Sequence, residues 1–270
     1  MNKISLIDLF KVTMDAGKKI LEVYAEEFEV FTKGDHSPLT QADKKAHASI
    51  MKGLEKIDPA IPILSEEGVE IPFNEREKWS RFWLVDPLDG TKEFIKKNGE
   101  FTVNIALVDG KYPRLGVIYA PALDVFYFGG IDYGSFKIEG ASIAGITTED
   151  ELMEKSHRIP IIGNDRATRV VASRSHMTDE TKAFIRELEV KHGNIEVVSS
   201  GSSLKFCLVA EGKADYYPRY APTMEWDTAA GQAIVEGAGG IVVRYEDHER
   251  FDYNRENLLN GWFLVSMHNT

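Results

Sequence analysis

At 270 residues, with 43% hydrophobic and 28% charged side chains, the chain has the composition of a globular protein able to bury a substantial core. Its net charge of −11 argues against a nucleic-acid-binding surface, which needs Lys and Arg set against phosphates. No apolar run approaches the roughly 18 residues of a membrane span, and the stretch from Met1 to Asp8 meets an acid too early for a signal peptide, so a cytoplasmic protein is expected.

Along the chain, Leu6, Leu9, Phe10, Thr13, Ile20 and Tyr24 recur at near-helical spacing, which predicts an amphipathic helix over about Ser5 to Glu27. A short strand, Phe28 to Thr32, and the loop from Lys33 to Pro38 lead to Thr40. This threonine is a good helix N-cap with Asp43 three positions on, and its helix should run to about Ile57. Strands are expected at Ile61–Ser65 and Phe82–Asp86. From Phe101 to Ile138 the texture is β, with Asp109-Gly110 as a hairpin turn signal, and reads as an antiparallel meander. Residues 141–168 carry the weakest pattern and are expected to be an irregular connection between an N-terminal part, 1–140, and a C-terminal part, 169–270. The latter alternates strand and helix: Val170–Ser173, Asp179–Lys191, Ile195–Ser199, Ser203–Glu211, Asp215–Tyr217, about Asp227 to Gly237, Ile241–Arg244 and Trp262–Ser266. The expected fold is an α+β or α/β layered sandwich, two sheets with helices between and outside them.

The most informative stretch is Trp83-Leu84-Val85-Asp86-Pro87-Leu88-Asp89-Gly90-Thr91-Lys92-Glu93-Phe94. An apolar strand ends at an acid, turns on Pro and Gly, and presents a second acid three residues later. Both carboxylates, with the Leu88 carbonyl between them, can converge beyond the strand end. Hard divalent cations such as Mg²⁺ favour oxygen ligands of this kind. Alone, the motif is as well explained by a β-turn. Two further acidic clusters tilt the balance: Ser65-Glu66-Glu67-Gly68, after another apolar strand, and Glu225-Trp226-Asp227-Thr228-Ala229-Ala230-Gly231, an acid opening a small-residue helix. An N-cap role for the second acid is compatible with a metal-facing one. The seven histidines lie scattered, with no pair at metal-ligand spacing, which gives little support for zinc. Cys207, the sole cysteine, sits in the apolar run Phe206-Cys207-Leu208-Val209 and reads as a small buried hydrophobe.

These three clusters, in this order and spacing, resemble the three signatures of the inositol monophosphatase superfamily. Within it, Asp-Gly-Thr-Lys-Glu-Phe, the stretch Asn98-Gly99-Glu100-Phe101-Thr102-Val103-Asn104, and Gly201-Ser202-Ser203-Leu204-Lys205-Phe206 resemble the CysQ-type 3′(2′),5′-bisphosphate nucleotidases. The resemblance implies two or three Mg²⁺ ions held by Glu66, Asp86, the Leu88 carbonyl, Asp89 and Asp227. It implies that Asp43 and Thr91 orient and deprotonate the attacking water. Gly90, Thr91, Ser173, His176, Ser202, Ser203 and Lys205 would hold the nucleotide, and Arg219 would add charge beside it. The implied reaction is hydrolysis of adenosine 3′,5′-bisphosphate to AMP and phosphate, a step linked to sulfate assimilation. An inositol or other sugar-phosphate phosphatase on the same scaffold is the alternative. A non-catalytic nucleotide sensor would require loss of a metal ligand or of Thr91, and none is missing. The expected partner is a small nucleotide. The protein is expected as a monomer or homodimer with no integral membrane segment, and peripheral attachment to the cytoplasmic face of a membrane stays open.

Overall fold

The computed structural model describes residues 4–32, 38–161, 167–172 and 177–267. Ser5 caps α1 (Leu6–Tyr24), its hydroxyl accepting from the Asp8 N–H at 3.2 Å. A small antiparallel pair follows, β1 (Val30–Thr32) with β2 (Pro38–Thr40). Thr40 then opens α2 (Gln41–Ile57) through a capping box: its hydroxyl accepts from the Ala42 N–H, and Asp43 reaches back to the Thr40 N–H.

Next come β3 (Ile63–Ser65), α3 (Phe73–Arg76), β4 (Arg81–Asp89), α4 (Thr91–Ile95), β5 (Thr102–Asp109), β6 (Tyr112–Ala120), β7 (Val125–Gly130) and β8 (Gly134–Glu139). The expected meander is present as β5 to β8, antiparallel throughout. The stretch 141–168 departs from its irregular reading. It holds α5 (Glu149–Glu154), capped by Thr148, and β9 (His157–Ile159), which pairs with β8 and extends the sheet past residue 140. The resulting seven-stranded sheet has the order β3-β4-β5-β6-β7-β8-β9, with β3 parallel to β4 and the other pairs antiparallel.

The rest of the chain supplies β10 (Thr168–Ala172), α6 (Asp179–His192), β11 (Ile195–Ser199), α7 (Leu204–Ala210), β12 (Tyr216–Arg219), α8 (Glu225–Gly237), β13 (Ile241–Arg244) and β14 (Phe263–Ser266). Its sheet has the order β11-β10-β12-β14-β13, parallel across β11, β10 and β12 and antiparallel at β14. Two sheets with helices between and outside them are thus the observed architecture.

The period-2 rule of a strand explains the layers. On β4 and β5, Trp83, Val85, Val103, Ile105 and Leu107 face the core shared with α1 and α2. Their neighbours Phe82, Leu84, Ala106 and Val108 face a second core shared with α7, α8 and the five-stranded sheet. A sheet covered on both faces needs apolar residues at nearly every position, so the sequence of β5 alternates only imperfectly. Each large apolar side chain buried this way contributes about 1.5–3 kcal/mol. Phe184, Ile185 and Leu188 of α6 cover the outer face of the second sheet. Cys207 is buried in the middle core, as expected of a small hydrophobe.

Helix α8 is the central layer, packed against β5, β6 and β7 on one side and β13 on the other. Its close approach to β6 requires Gly116: a Cβ there would fall 2.4 Å from the Ala230 carbonyl oxygen. Among the described residues, no helix is long and apolar enough to cross a membrane.

Candidate metal and phosphate site

The residue after β3, the strand β4, which runs on past the expected end at Asp86 to Asp89, and the first turn of α8 meet at one point, and each brings an acid. Glu66 follows β3 directly, Asp86 lies on β4 beside it, and Asp227 stands in the first turn of α8. Ligand oxygens of these three carboxylates all lie within 4.8 Å of one another. Local backbone chemistry fixes each acid. The Glu66 N–H donates to the Val85 carbonyl at 3.1 Å, the Leu88 N–H donates to Asp86 Oδ1 at 3.0 Å, and the Met224 N–H donates to Asp227 Oδ2 at 2.8 Å. Asp227 is therefore not the N-cap that the sequence suggests: the helix begins two residues earlier, Met224 occupies the N-cap position, and Asp227 reaches back to it from the third helical position.

Asp89 stands at the end of β4, past a register irregularity between Asp86 and Asp89. Gly90 follows with φ of 89°, in the left-handed region that glycine reaches without strain. The chain thereby turns directly into α4, which begins with Thr91. The Thr91 hydroxyl lies 3.4 Å from Asp43 Oδ1 and 3.4 Å from the Leu88 carbonyl oxygen. Asp43 is itself locked from behind, its Oδ2 accepting from the Thr40 N–H at 2.7 Å and the Thr40 hydroxyl at 2.6 Å. The sequence marks Thr40 only as a helix cap, yet it also fixes which oxygen of Asp43 faces Thr91.

The electrostatics of the cluster follow from its burial. Burial and the neighbouring carboxylates push Asp86 well above the usual carboxylate range, and Asp227 likewise. Burial lifts Asp89 to about 6, partly offset by the ammonium of Lys205 and by the Ser203 N–H. Carboxylates crowded in this way repel one another unless a cation joins them. An all-oxygen set of carboxylates is the donor set of a hard divalent ion, so Glu66, Asp86 and Asp227 fit Mg²⁺. Asp89, expected as a fourth carboxylate ligand, does not join that group of three, and one of its oxygens accepts from the Ser203 N–H.

Beside the acids opens a cavity of about 190 Å³ lined by Asp89, Gly90, Ser202, Lys205, Arg219 and Asp227, with Tyr217 and Phe263 as apolar walls. Lys205 is buried, and its ammonium donates to the Ser202 carbonyl at 2.8 Å and to the Ser200 carbonyl at 3.3 Å. Burial lowers its pKa to about 8, against the opposing pull of Asp89. Arg219, at the end of β12, donates to the Pro222 carbonyl at 3.2 Å.

Ser203 lines the cavity, as expected of a substrate-binding residue, but its polar groups point elsewhere. Its N–H donates to Asp89 Oδ2 at 2.5 Å and its hydroxyl to Asn104 Oδ1 at 2.7 Å, so both are committed inside the protein. Ser202 lines the cavity. Ser173 and His176 lie outside the described residues. Tyr217, Phe263 and Thr223 also line it, although no local motif marks them in the sequence.

The sequence profile of the inositol monophosphatase family matches residues 5–262. The chain is 45% identical over 264 residues to the 3′(2′),5′-bisphosphate nucleotidase CysQ of Escherichia coli O157:H7, covering 96% of this chain and 98% of that relative. Among solved structures, CysQ from Bacteroides thetaiotaomicron, described as a bacterial member of the inositol monophosphatase family, superposes with a TM-score of 0.87 at 49% identity. That match covers 96% of this chain and 95% of the other. The IMPase of Thermotoga maritima matches with a TM-score of 0.73 at 25% identity, over 96% and 90% of the two chains. With its carboxylate cluster, its layered fold and the full-length match all in agreement, the chain belongs to the inositol monophosphatase family.

Proposed function

We propose that the protein is a magnesium-dependent 3′(2′),5′-bisphosphate nucleotidase that hydrolyses adenosine 3′,5′-bisphosphate to AMP and phosphate, in the service of sulfate assimilation. The observation that carries this reading is the pairing of two unlike features. A carboxylate cluster suited to cations adjoins a cavity that holds Lys205 and Arg219. A sugar monophosphate has one phosphate, for the metal cluster. A nucleoside bisphosphate has a second one, for Lys205 and Arg219 in the cavity. The relatives named CysQ, similar over nearly the whole chain, support the same reading.

Glu66, Asp86, Asp89, Asp227 and the Leu88 carbonyl would hold the Mg²⁺ ions. Held there, Mg²⁺ would supply positive charge against the scissile phosphate and would favour deprotonation of a nearby water. The chain's own residues do the rest. Asp43, held by Thr40, takes the proton of the attacking water, and the Thr91 hydroxyl between Asp43 and Leu88 fixes that water's direction. The water oxygen bonds to phosphorus as the bond from phosphorus to the ribose oxygen breaks, and the ribose oxygen takes up a proton from solvent water to leave as a hydroxyl of AMP. A loose transition state leaves mainly positioning and electrostatics for the protein to supply. Lys205 and Arg219 neutralise the second phosphate, while Tyr217 and Phe263 give the nucleoside an apolar wall.

The deciding experiment is phosphate release from adenosine 3′,5′-bisphosphate, 3′-AMP and inositol 1-phosphate at saturating Mg²⁺. The bisphosphate should have the highest kcat/KM. An enzyme that prefers inositol 1-phosphate would instead be a sugar phosphatase.

A further inference from the structure

The stretch Asn98 to Asn104 does not line the cavity, yet three of its side chains converge on one turn. Glu100, Thr102 and Asn104 alternate along the chain leading into and along β5, so all three lie on one face of the strand. Glu100 Oε2 accepts from the Gly201 N–H at 3.0 Å. The Thr102 hydroxyl lies 2.9 Å from the Ser202 hydroxyl and 2.7 Å from the Ser203 hydroxyl. Asn104 Oδ1 accepts from the Ser203 hydroxyl at 2.7 Å. The turn they hold is an unfavourable one, since Ser202 has φ of 44°, a left-handed conformation that costs a non-glycine residue about 1–2 kcal/mol. Gly201 is pressed so closely on the stretch that a Cβ would fall 2.8 Å from the Glu100 carbonyl oxygen.

Two groups of the site hang on this turn. The Ser203 N–H is directed at Asp89, and the Ser200 and Ser202 carbonyls seat the Lys205 ammonium. The pairing is also placed opposite the acids: across β4 and β5, Thr102 is the register partner of Asp89 and Asn104 that of Asp86. Thr102, Asn104 and Ser203 are all buried, so their bonds are shielded from competing water.

We infer that Glu100, Thr102 and Asn104 are positioning residues that set the preference for a second phosphate, by locking the 201–203 turn so that Lys205 points into the cavity. This inference rests on the bisphosphate reading of that cavity. None of the three touches the reacting atoms; they act through the turn.

The test uses the full-length protein with Thr102→Val, which keeps shape and loses the hydroxyl, Thr102→Ser, which keeps the hydroxyl, and Glu100→Ala. Two measurements are made: the ratio of kcat/KM for adenosine 3′,5′-bisphosphate over 3′-AMP, and backbone hydrogen exchange across 201–206 by mass spectrometry. Thr102→Val and Glu100→Ala should each lower the ratio by about ten-fold, the worth of one charge-assisted hydrogen bond between Lys205 and the second phosphate, and speed exchange in 201–206. Thr102→Ser should restore both. An equal loss on both substrates, or unchanged exchange, overturns the inference. If Thr102→Val does not fold, Glu100→Ala, at a half-buried side chain, carries the same comparison. If the wild type shows no preference for the bisphosphate, the nucleotidase reading fails on its own, and exchange alone then upholds or overturns the lock.

Discussion

Replacing Thr91 with valine isolates the water-orienting role from binding and from folding. The hydroxyl has one proton and lies 3.4 Å from each of two acceptors, Asp43 Oδ1 and the Leu88 carbonyl oxygen. It can serve only one of them at a time, and both distances are long. Such a group contributes little to the resting fold: losing it should cost at most about 1 kcal/mol, a fall in Tm of roughly 2–4 °C. In the transition state the same hydroxyl would tighten on the attacking water and on Asp43. Positioned acid–base groups of this kind are worth about 10²–10⁴-fold, and an interaction realised only there lowers kcat while leaving KM nearly unchanged. Steady-state phosphate release at saturating Mg²⁺, with a thermal melt on the same preparations, measures both quantities. Thr91→Ser should recover most of the rate. A Thr91→Val enzyme with wild-type kcat, or one whose loss lies wholly in KM, would refute the assignment of Asp43 and Thr91.

Lys205→Met should raise KM for adenosine 3′,5′-bisphosphate by about ten-fold or more, because a charge-assisted hydrogen bond to the second phosphate disappears, with little change for 3′-AMP in initial-rate assays. Because burial brings Lys205 to about 8, its ammonium is charged below that pH and neutral above it. KM for the bisphosphate should therefore rise as pH passes about 8 in the wild type and stay flat there in Lys205→Met. Asp227→Asn keeps the capping geometry at Met224 but removes one of the crowded charges. In chelator-treated protein it should raise Tm by about 2–4 °C per kcal/mol of repulsion relieved, while the stabilisation that Mg²⁺ gives the wild type by mass action disappears; calorimetric melts with and without the ion decide it. Glu225 is fully buried and accepts from the Asn254 N–H, the Arg255 N–H and the Arg255 side chain. Glu225→Ala leaves the Asn254 and Arg255 N–H groups without this acceptor, while the part-exposed Arg255 keeps its bond to Asn260, and should cost about 1–3 kcal/mol for each N–H left unsatisfied, read by denaturant unfolding.

The acids are legible because the sequence puts each one where an apolar run stops, and a carboxylate at a strand or helix end has few reasons to recur three times. Asp43 is legible through Thr40, since a capping box is written in four consecutive residues. The 201–203 lock is not, because Glu100, Thr102 and Asn104 meet partners about a hundred positions away, and no local spacing encodes such a meeting. The same holds for Lys205. Its position in the first turn of a helix is visible, but its inward seat on the Ser200 and Ser202 carbonyls depends on the fold around it. Strand β9 escapes a reading of the sequence because three residues at a sheet edge, two of them exposed, carry no alternation to read.

The close approach of Gly116 to α8 has a consequence for inheritance. Asp227 rides on the first turn of a helix whose next turn rests on the bare backbone of β6, with no slack between them. A methyl group added at Gly116 must push the helix, and the helix must carry its acid with it. Mutants selected for loss of this activity should therefore include Gly116→Ala and similar changes in the middle layer, far from any atom that meets substrate. Their lesion would look like a metal-site defect in the assay, and sequence comparison of the pocket alone would score them as silent.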